Sequence, residues 1–238
     1  MSAQRVAVVT GGSGGIGRAC GAALVAQGYD VVLTSRRPEP LHAAADEIGA
    51  RAVPADAGTD ADVARLFDAV ERCDVLVHAA GVLDGTTVRD QPVDTFDEVL
   101  RINLRSSYLV TRAALTKMRA GAKIVYISSV AGLKGLAGMS AYSTSKAGVN
   151  ALAQSVAAEV ERDGIGVHIV VPGLVETEMI DNPATMAAAA LTPDHVAEVV
   201  AWLCELPPEV VIRQITMRAT DRGPFATRRV EAGGAAAG

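Results

Sequence analysis

"VAVVTGGSGGIGRA", residues 6–19, is the stretch on which the reading of the chain turns. A short apolar run, Val6 to Thr10, is followed by glycines at 11, 12, 14, 15 and 17, and then by residues with helical spacing. That is the layout of a strand, a tight turn and a helix. Two overlapping glycine patterns fit. Gly12, Gly14 and Gly17 spell G-x-G-x-x-G. Gly11, Gly15 and Gly17, preceded by Thr10, spell G-x-x-x-G-x-G. Either lets backbone N–H groups approach a pyrophosphate at the positive end of the following helix. The two patterns mark different groups of dinucleotide-binding enzymes, so the register must be decided by residues elsewhere.

Working outward, the same alternation recurs. "DVVLTS" (30–35), "DVLVHAAG" (74–81), "KIVYISS" (123–129) and "VHIVVPG" (167–173) are apolar runs with little polar alternation, as expected of strands covered on both faces of a parallel sheet. "ARAVPAD" (50–56) is a weaker third strand, and "VVIRQITMR" (210–218) a last one. Ala-rich stretches such as "IGRACGAALVAQG" (16–28) and "DADVARLFDAVERC" (60–73) separate them with helical spacing. The expected class is α/β, a Rossmann-like doubly wound fold of about seven parallel strands with helices on both faces. Nothing divides the chain, so a single domain over 1–238 is expected, with a mobile tail from about residue 230. In such a sheet, ligands bind beyond the carboxyl ends of the strands.

Composition excludes several alternatives. Half of the 238 residues are apolar and 3% aromatic, so the core must be built from Ala, Val, Leu and Ile. A net charge of −5 argues against a nucleic-acid surface. Cys20, Cys73 and Cys204 lie far apart and read as reduced, partly buried thiols. The N-terminus lacks a signal-peptide layout and no apolar run reaches the length of a membrane span, so a cytoplasmic protein without a membrane partner is expected. His42, His78, His168 and His195 have no spacing that suggests a metal site.

Residues 128–147, "SSVAGLKGLAGMSAYSTSKA", settle the register. Tyr142 and Lys146 are four apart, on one face of a helix. Ser129 precedes Tyr142 by thirteen residues and directly follows an apolar run. With Thr10 and the Gly11–Gly15–Gly17 spacing, this resembles the short-chain dehydrogenase/reductase family, over roughly residues 4–217. Asn103 in "RINLRSS", Asp56 after the third strand, and "PGLVETEM" through Pro172, Gly173, Val175 and Thr177 match further family positions. One departs: where the family carries Asn-Asn-Ala-Gly after strand four, this chain has His78-Ala79-Ala80-Gly81. The lost second asparagine braces the sheet in the family, which puts local stability in question more than activity; His78 reads as a structural variant.

The resemblance implies an oxidoreductase interconverting a ketone or aldehyde and an alcohol. Tyr142 is the implied acid–base residue, with Ser129 polarising the substrate oxygen. Lys146 is implied to lower the phenol pKa and hold the nicotinamide ribose, and Asn103 to anchor a water on the proton path. Gly11, Ser13, Gly15, Ile16, Gly17, Ala80 and Gly81 would cradle the cofactor, and Asp56 its adenine. Pro172, Gly173, Val175 and Thr177 would flank the nicotinamide. Strand two ends Ser35-Arg36-Arg37, without the carboxylate that would repel a 2′-phosphate, and a guanidinium binds phosphate bidentately. NADP(H) is therefore expected over NAD(H). A lid between Thr177 and Thr192, with Met139, Gly173, Leu174 and Met179, is expected to line a substrate pocket for a small molecule. A 3-oxoacyl thioester substrate is an alternative within the family, and a catalytically silent NADP(H) sensor an alternative outside it. The apolar circumference of helices near 94–118 and 141–162 points to a homodimer or homotetramer.

Overall fold

The strands are β1 (Val6–Thr10), β2 (Asp30–Thr34), β3 (Arg51–Ala52), β4 (Val75–His78), β5 (Lys123–Ile127), β6 (Gly166–Pro172) and β7 (Gln214–Met217). They lie in the order β3-β2-β1-β4-β5-β6-β7, and every neighbouring pair is parallel. The computed structural model describes residues 4–177 and 190–220. The tail from 230, most of the expected lid and Met179 lie outside the described residues. The third and seventh strands are shorter than their apolar runs. Each sits at a sheet edge with one neighbour, so the ladder holds fewer residues.

Helices α1 (Gly15–Ala26), α2 (Pro38–Ile48), α3 (Asp60–Asp68), α4 (Val93–Leu100), α5 (Ser106–Leu115), α6 (Ser140–Val160) and α7 (Pro193–Glu205) cover the sheet. Successive strand residues alternate between two cores, as a pleat with period two requires. Val6 and Val8 face the core built with α3, α5 and α6, where Leu66, Val110 and Ala153 are fully buried. Ala7 and Val9 face the core built with α1, α2 and α7, through Leu24, Leu41 and Leu203. Burying each such leucine stabilises the fold by about 1.5–3 kcal/mol. The three cysteines are free and buried, two of them in this second core.

Local chemistry sets the helix ends. Thr59 and Thr192 cap α3 and α7 with their hydroxyls, and His195 closes a capping box on Thr192. The buried ammonium of Lys123 donates to the carbonyls of Leu203, Cys204 and Leu206, closing the end of α7 against the sheet. Between α4 and α5 the chain does not break; residues Arg101–Arg105 form a π-helical segment, so 93–115 run as one continuous helix. Among the described residues no helix is long and apolar enough to cross a membrane.

Candidate active site

The chain winds outward from β1 to β3, then returns to place β4 on the other side of β1. At that reversal, beyond the carboxyl ends of the strands, a cavity of about 740 Å³ opens. It is lined by the glycine turn, the ends of β2, β4 and β5, the first residues of α6, and the loop after β6.

The turn after β1 has no room for a side chain at Gly11 or Gly17, nor at Gly12, where a Cβ would fall 2.6 Å from Leu33 Cβ. Gly11 has φ +69°, and a Cβ there would fall 2.7 Å from the Ala80 nitrogen. A Cβ on Gly17 would overlap the Gly11 carbonyl oxygen. By contrast, a Cβ on Gly14, which only the other register needs, would meet nothing nearer than 3.5 Å. Gly14 is the N-cap of α1 and offers no side chain to its first turn, so those N–H groups open toward the cavity. Ser13, Gly15 and Ile16 line the same wall. Thr10 ties the turn to the loop after β4: its hydroxyl accepts from the Ala80 N–H at 3.2 Å.

Ser129, Tyr142 and Lys146 converge on the opposite wall. Ser129 ends the extension of β5, and its Oγ accepts from Ala131 N–H at 3.1 Å in a short 3₁₀ turn, Val130–Gly132. That turn lies directly on α6, because a Cβ on Gly132 would come within 2.8 Å of the Lys146 backbone. Asn150, one turn beyond Lys146, donates to the Gly132 carbonyl at 3.1 Å and secures the contact. Lys146 Nζ donates to the Ile127 carbonyl at 2.9 Å. Burial pushes its ammonium down to about 8.

The expected depression of the Tyr142 phenol pKa by Lys146 does not hold within the protein itself. Burial pushes the phenol up, and a hydrogen bond with Ser129 pulls it only part of the way back. The ammonium stands 5.8 Å from the phenol ring centroid and donates to the Ile127 carbonyl; burial is the dominant influence on the phenol.

Asn103 is buried behind the cavity wall, in the π-helical segment. Its Oδ1 accepts from Val82 N–H at 2.8 Å, and its Nδ2 donates to the Val82 carbonyl and to Ser145 Oγ, each at 2.9 Å. The side chain therefore positions the loop after β4 and α6 together. The nearest neighbours of a Cβ on Gly81 would be Asn103 Oδ1 at 3.4 Å and Lys146 Nζ at 3.6 Å, which sets Ala80 and Gly81 against this pair. A π segment at a functional position was not legible in the sequence.

At the far end, Ser35, Arg36 and Asp56 line the cavity. Asp56 already accepts from Gly58 N–H and from Arg101. Arg36 pairs with Glu98 at 3.1 Å. Neither Glu98 nor Arg101 was marked by any motif; both reach across from the helix beginning at Val93. Pro172, Gly173, Val175 and Thr177 line the cavity beyond β6, whereas Met139 and Leu174 are not among its lining residues. Among the lining residues missed, Val82, Leu83 and Ile102 gave no signal beyond following a strand or preceding Asn103.

His78 is buried in the position that departs from the family. Its Nε2 contacts Thr111 Oγ1 at 2.9 Å, Thr111 meets Tyr126 OH at 2.7 Å, and the imidazole stacks on Tyr126 with centroids 4.6 Å apart. Burial, aided by the charge of Lys146, pushes its pKa down to about 3, so the ring is neutral and serves as a brace.

Residues 5–188 match the family model for short chain dehydrogenases. The chain belongs to that family. It is 36% identical to carbonyl reductase family member 4 of Danio rerio, over 86% of this chain and 92% of the relative. It is 38% identical to the 3-oxoacyl-[acyl-carrier-protein] reductase of Homo sapiens, over 74% of this chain and 78% of that protein. Among solved structures, BdcA in complex with NADPH superposes with a TM-score of 0.83 at 28% identity, covering 90% of this chain and 93% of BdcA.

Short chain dehydrogenases are oxidoreductases that act on the CH–OH group of donors with NAD(P) as acceptor, and the residues present here fit that cofactor. The backbone packing at Gly11 and Gly17, too close for any side chain, holds the glycine turn at the cavity wall. The uncapped start of α1 suits a pyrophosphate, and one cavity of about 740 Å³ is lined by both Arg36 and Tyr142.

Proposed function

We propose that the protein is an NADP(H)-dependent reductase of ketones or aldehydes, acting through Ser129, Tyr142 and Lys146. The observation that carries the reading is the convergence of these three side chains on one wall of a cavity whose other end presents Arg36. When bound, the nicotinamide cofactor supplies or accepts the hydride. Tyr142 gives its phenolic proton to the carbonyl oxygen as that oxygen becomes a hydroxyl, and takes the proton back in the reverse direction. Ser129 donates a hydrogen bond to the same oxygen and fixes its distance from Tyr142. Lys146 stabilises the phenolate that Tyr142 leaves behind; a neighbouring cation favours that form.

Arg36 supports NADP(H) over NAD(H), since no carboxylate stands at the end of β2 and a guanidinium is suited to a phosphate. A 3-oxoacyl thioester is the second substrate reading, favoured by the likeness to the human 3-oxoacyl-[acyl-carrier-protein] reductase. The deciding experiment is a panel of ketones, aldehydes and 3-oxoacyl thioesters, each assayed with NADPH and with NADH. Binding of NADPH without turnover across that panel would favour a sensor instead.

A homodimer or homotetramer is part of the same reading. Tyr108 on α5 and Val93 on α4 are 52% and 73% exposed, large apolar groups on the helix that runs past the site. Light scattering at micromolar concentration should return twice or four times the mass of one chain, and a monomer would count against it.

A further inference from the structure

The ion pairs at the Arg36 end of the cavity form a chain. Arg36 Nη1 donates to Glu98 Oε1 at 3.1 Å. Glu98 is gripped by Arg101 through two parallel bonds, Nε to Oε2 at 2.6 Å and Nη2 to Oε1 at 2.9 Å. Arg101 Nη1 then reaches both carboxylate oxygens of Asp56, at 3.1 and 2.9 Å. The inner pair is sheltered, with the side chains of Arg101 and Asp56 29% and 28% exposed. The outer pair is open, with Arg36 and Glu98 49% and 44% exposed.

The two halves therefore behave differently. Arg101 is committed to two carboxylates and fixes that of Glu98 in place. Its hydrogen bonds, with the charge of Arg36, hold the Glu98 carboxyl below the usual range, so it is ionised at neutral pH. Among the described residues Arg36 has a single ionic partner, and it is half exposed with donors to spare. An exposed ion pair contributes little to stability, so Arg36 can exchange it for another anion.

We propose that Glu98 is a cofactor-specificity residue, competing with the 2′-phosphate of NADP(H) for Arg36. The proposal rests on the reading of Arg36 as the partner of that phosphate. An arriving phosphate must draw Arg36 away from a carboxylate and then tolerate that carboxylate nearby. NADH carries a hydroxyl at the same place and leaves the pair intact. Glu98 thus weakens the hold on the phosphorylated cofactor alone.

Glu98→Gln removes the charge and keeps the shape at an exposed position. Titration calorimetry should show NADPH binding about two- to fivefold tighter than in wild type, the size of one exposed ion pair, with NADH changed by less than about 1.5-fold. Adenosine 2′,5′-bisphosphate should follow NADPH, and AMP should follow NADH. Glu98→Ala should repeat the gain, which excludes a new bond from the amide, and Arg36→Ala should abolish it. Unchanged or weaker NADPH binding in Glu98→Gln at wild-type thermal stability overturns the proposal, as does an equal gain for both cofactors. If wild type binds NADPH and NADH alike and Arg36→Ala alters neither, the reading of Arg36 falls as well. If Arg36→Ala weakens NADPH alone and Glu98→Gln brings no gain, only the role of Glu98 falls.

Discussion

Asn103 grips Val82 from both sides, accepting from its N–H at 2.8 Å and donating to its carbonyl at 2.9 Å. A side-chain amide is the one group that can mimic a strand neighbour in this way, and its remaining N–H is taken by Ser145. Asn103→Asp keeps the shape but turns oxygen toward the Val82 carbonyl and Ser145. The unpaired acceptors should cost about 1–3 kcal/mol. For a chain of this length each kcal/mol lowers Tm by roughly 2–4 °C. Thermal melts should show that loss, and cofactor affinity should fall with it because Ala80 and Gly81 lose their anchor.

Tyr142→Phe tests the proton donor. The ring and its packing remain, so cofactor affinity should stay near wild type while turnover falls about 10²–10⁴-fold. Single-turnover assays with a reducible carbonyl compound check it; near-normal rates would remove Tyr142 from the mechanism.

Lys146 gives the fold a pH dependence of known sign. Its pKa in the fold is pushed down to about 8 from the ordinary 10.5 of a lysine. Between those values the unfolded chain takes up a proton that the folded chain refuses, so this group destabilises the fold increasingly as pH falls from about 10.5 to 8 and by a constant amount below that. Lys146→Met cannot take up the proton. Relative to wild type, its Tm should therefore be lowest above pH 10.5, rise as pH falls to about 8, and then level off. A Tm difference that is flat across this window would mean that the ammonium is not penalised by burial.

The glycine turn makes a paired prediction. Gly17→Ala places a Cβ against the Gly11 carbonyl, an overlap that should cost about 1–3 kcal/mol or more and disturb the cofactor cradle. Gly14→Ala meets only ordinary contact at 3.5 Å and should fold and bind normally. Melting curves and NADPH titrations of the two variants check the contrast.

The sheet was legible because buried parallel strands write themselves as continuous apolar runs, and the meeting of Ser129, Tyr142 and Lys146 at one cavity because these residues are tied to local spacing. What the sequence hid was long-range pairing. Arg36 and Glu98 are 62 residues apart, Arg101 and Asp56 45. His78 looked like a lost brace until Thr111 and Tyr126, from two other elements, were found against it. The Tyr142 phenol was read with the wrong sign because a neighbour in sequence was weighed and burial was not. The edge strands were read too long, since an apolar run does not reveal how many neighbours will pair with it.

The π-helical segment Arg101–Arg105 changes what the helix over 93–115 can be. One extra residue in a turn rotates everything after it by about 100° relative to an unbroken α-helix. Glu98 and Arg101 can then point to the cofactor end while Ser107, Val110 and Thr111 are buried in the sheet-facing half. The helix is two screws cut to different phases and joined at Asn103. A relative that lost one residue here would keep the glycine turn and the spacing of Ser129, Tyr142 and Lys146, yet would aim its first half at the wrong wall.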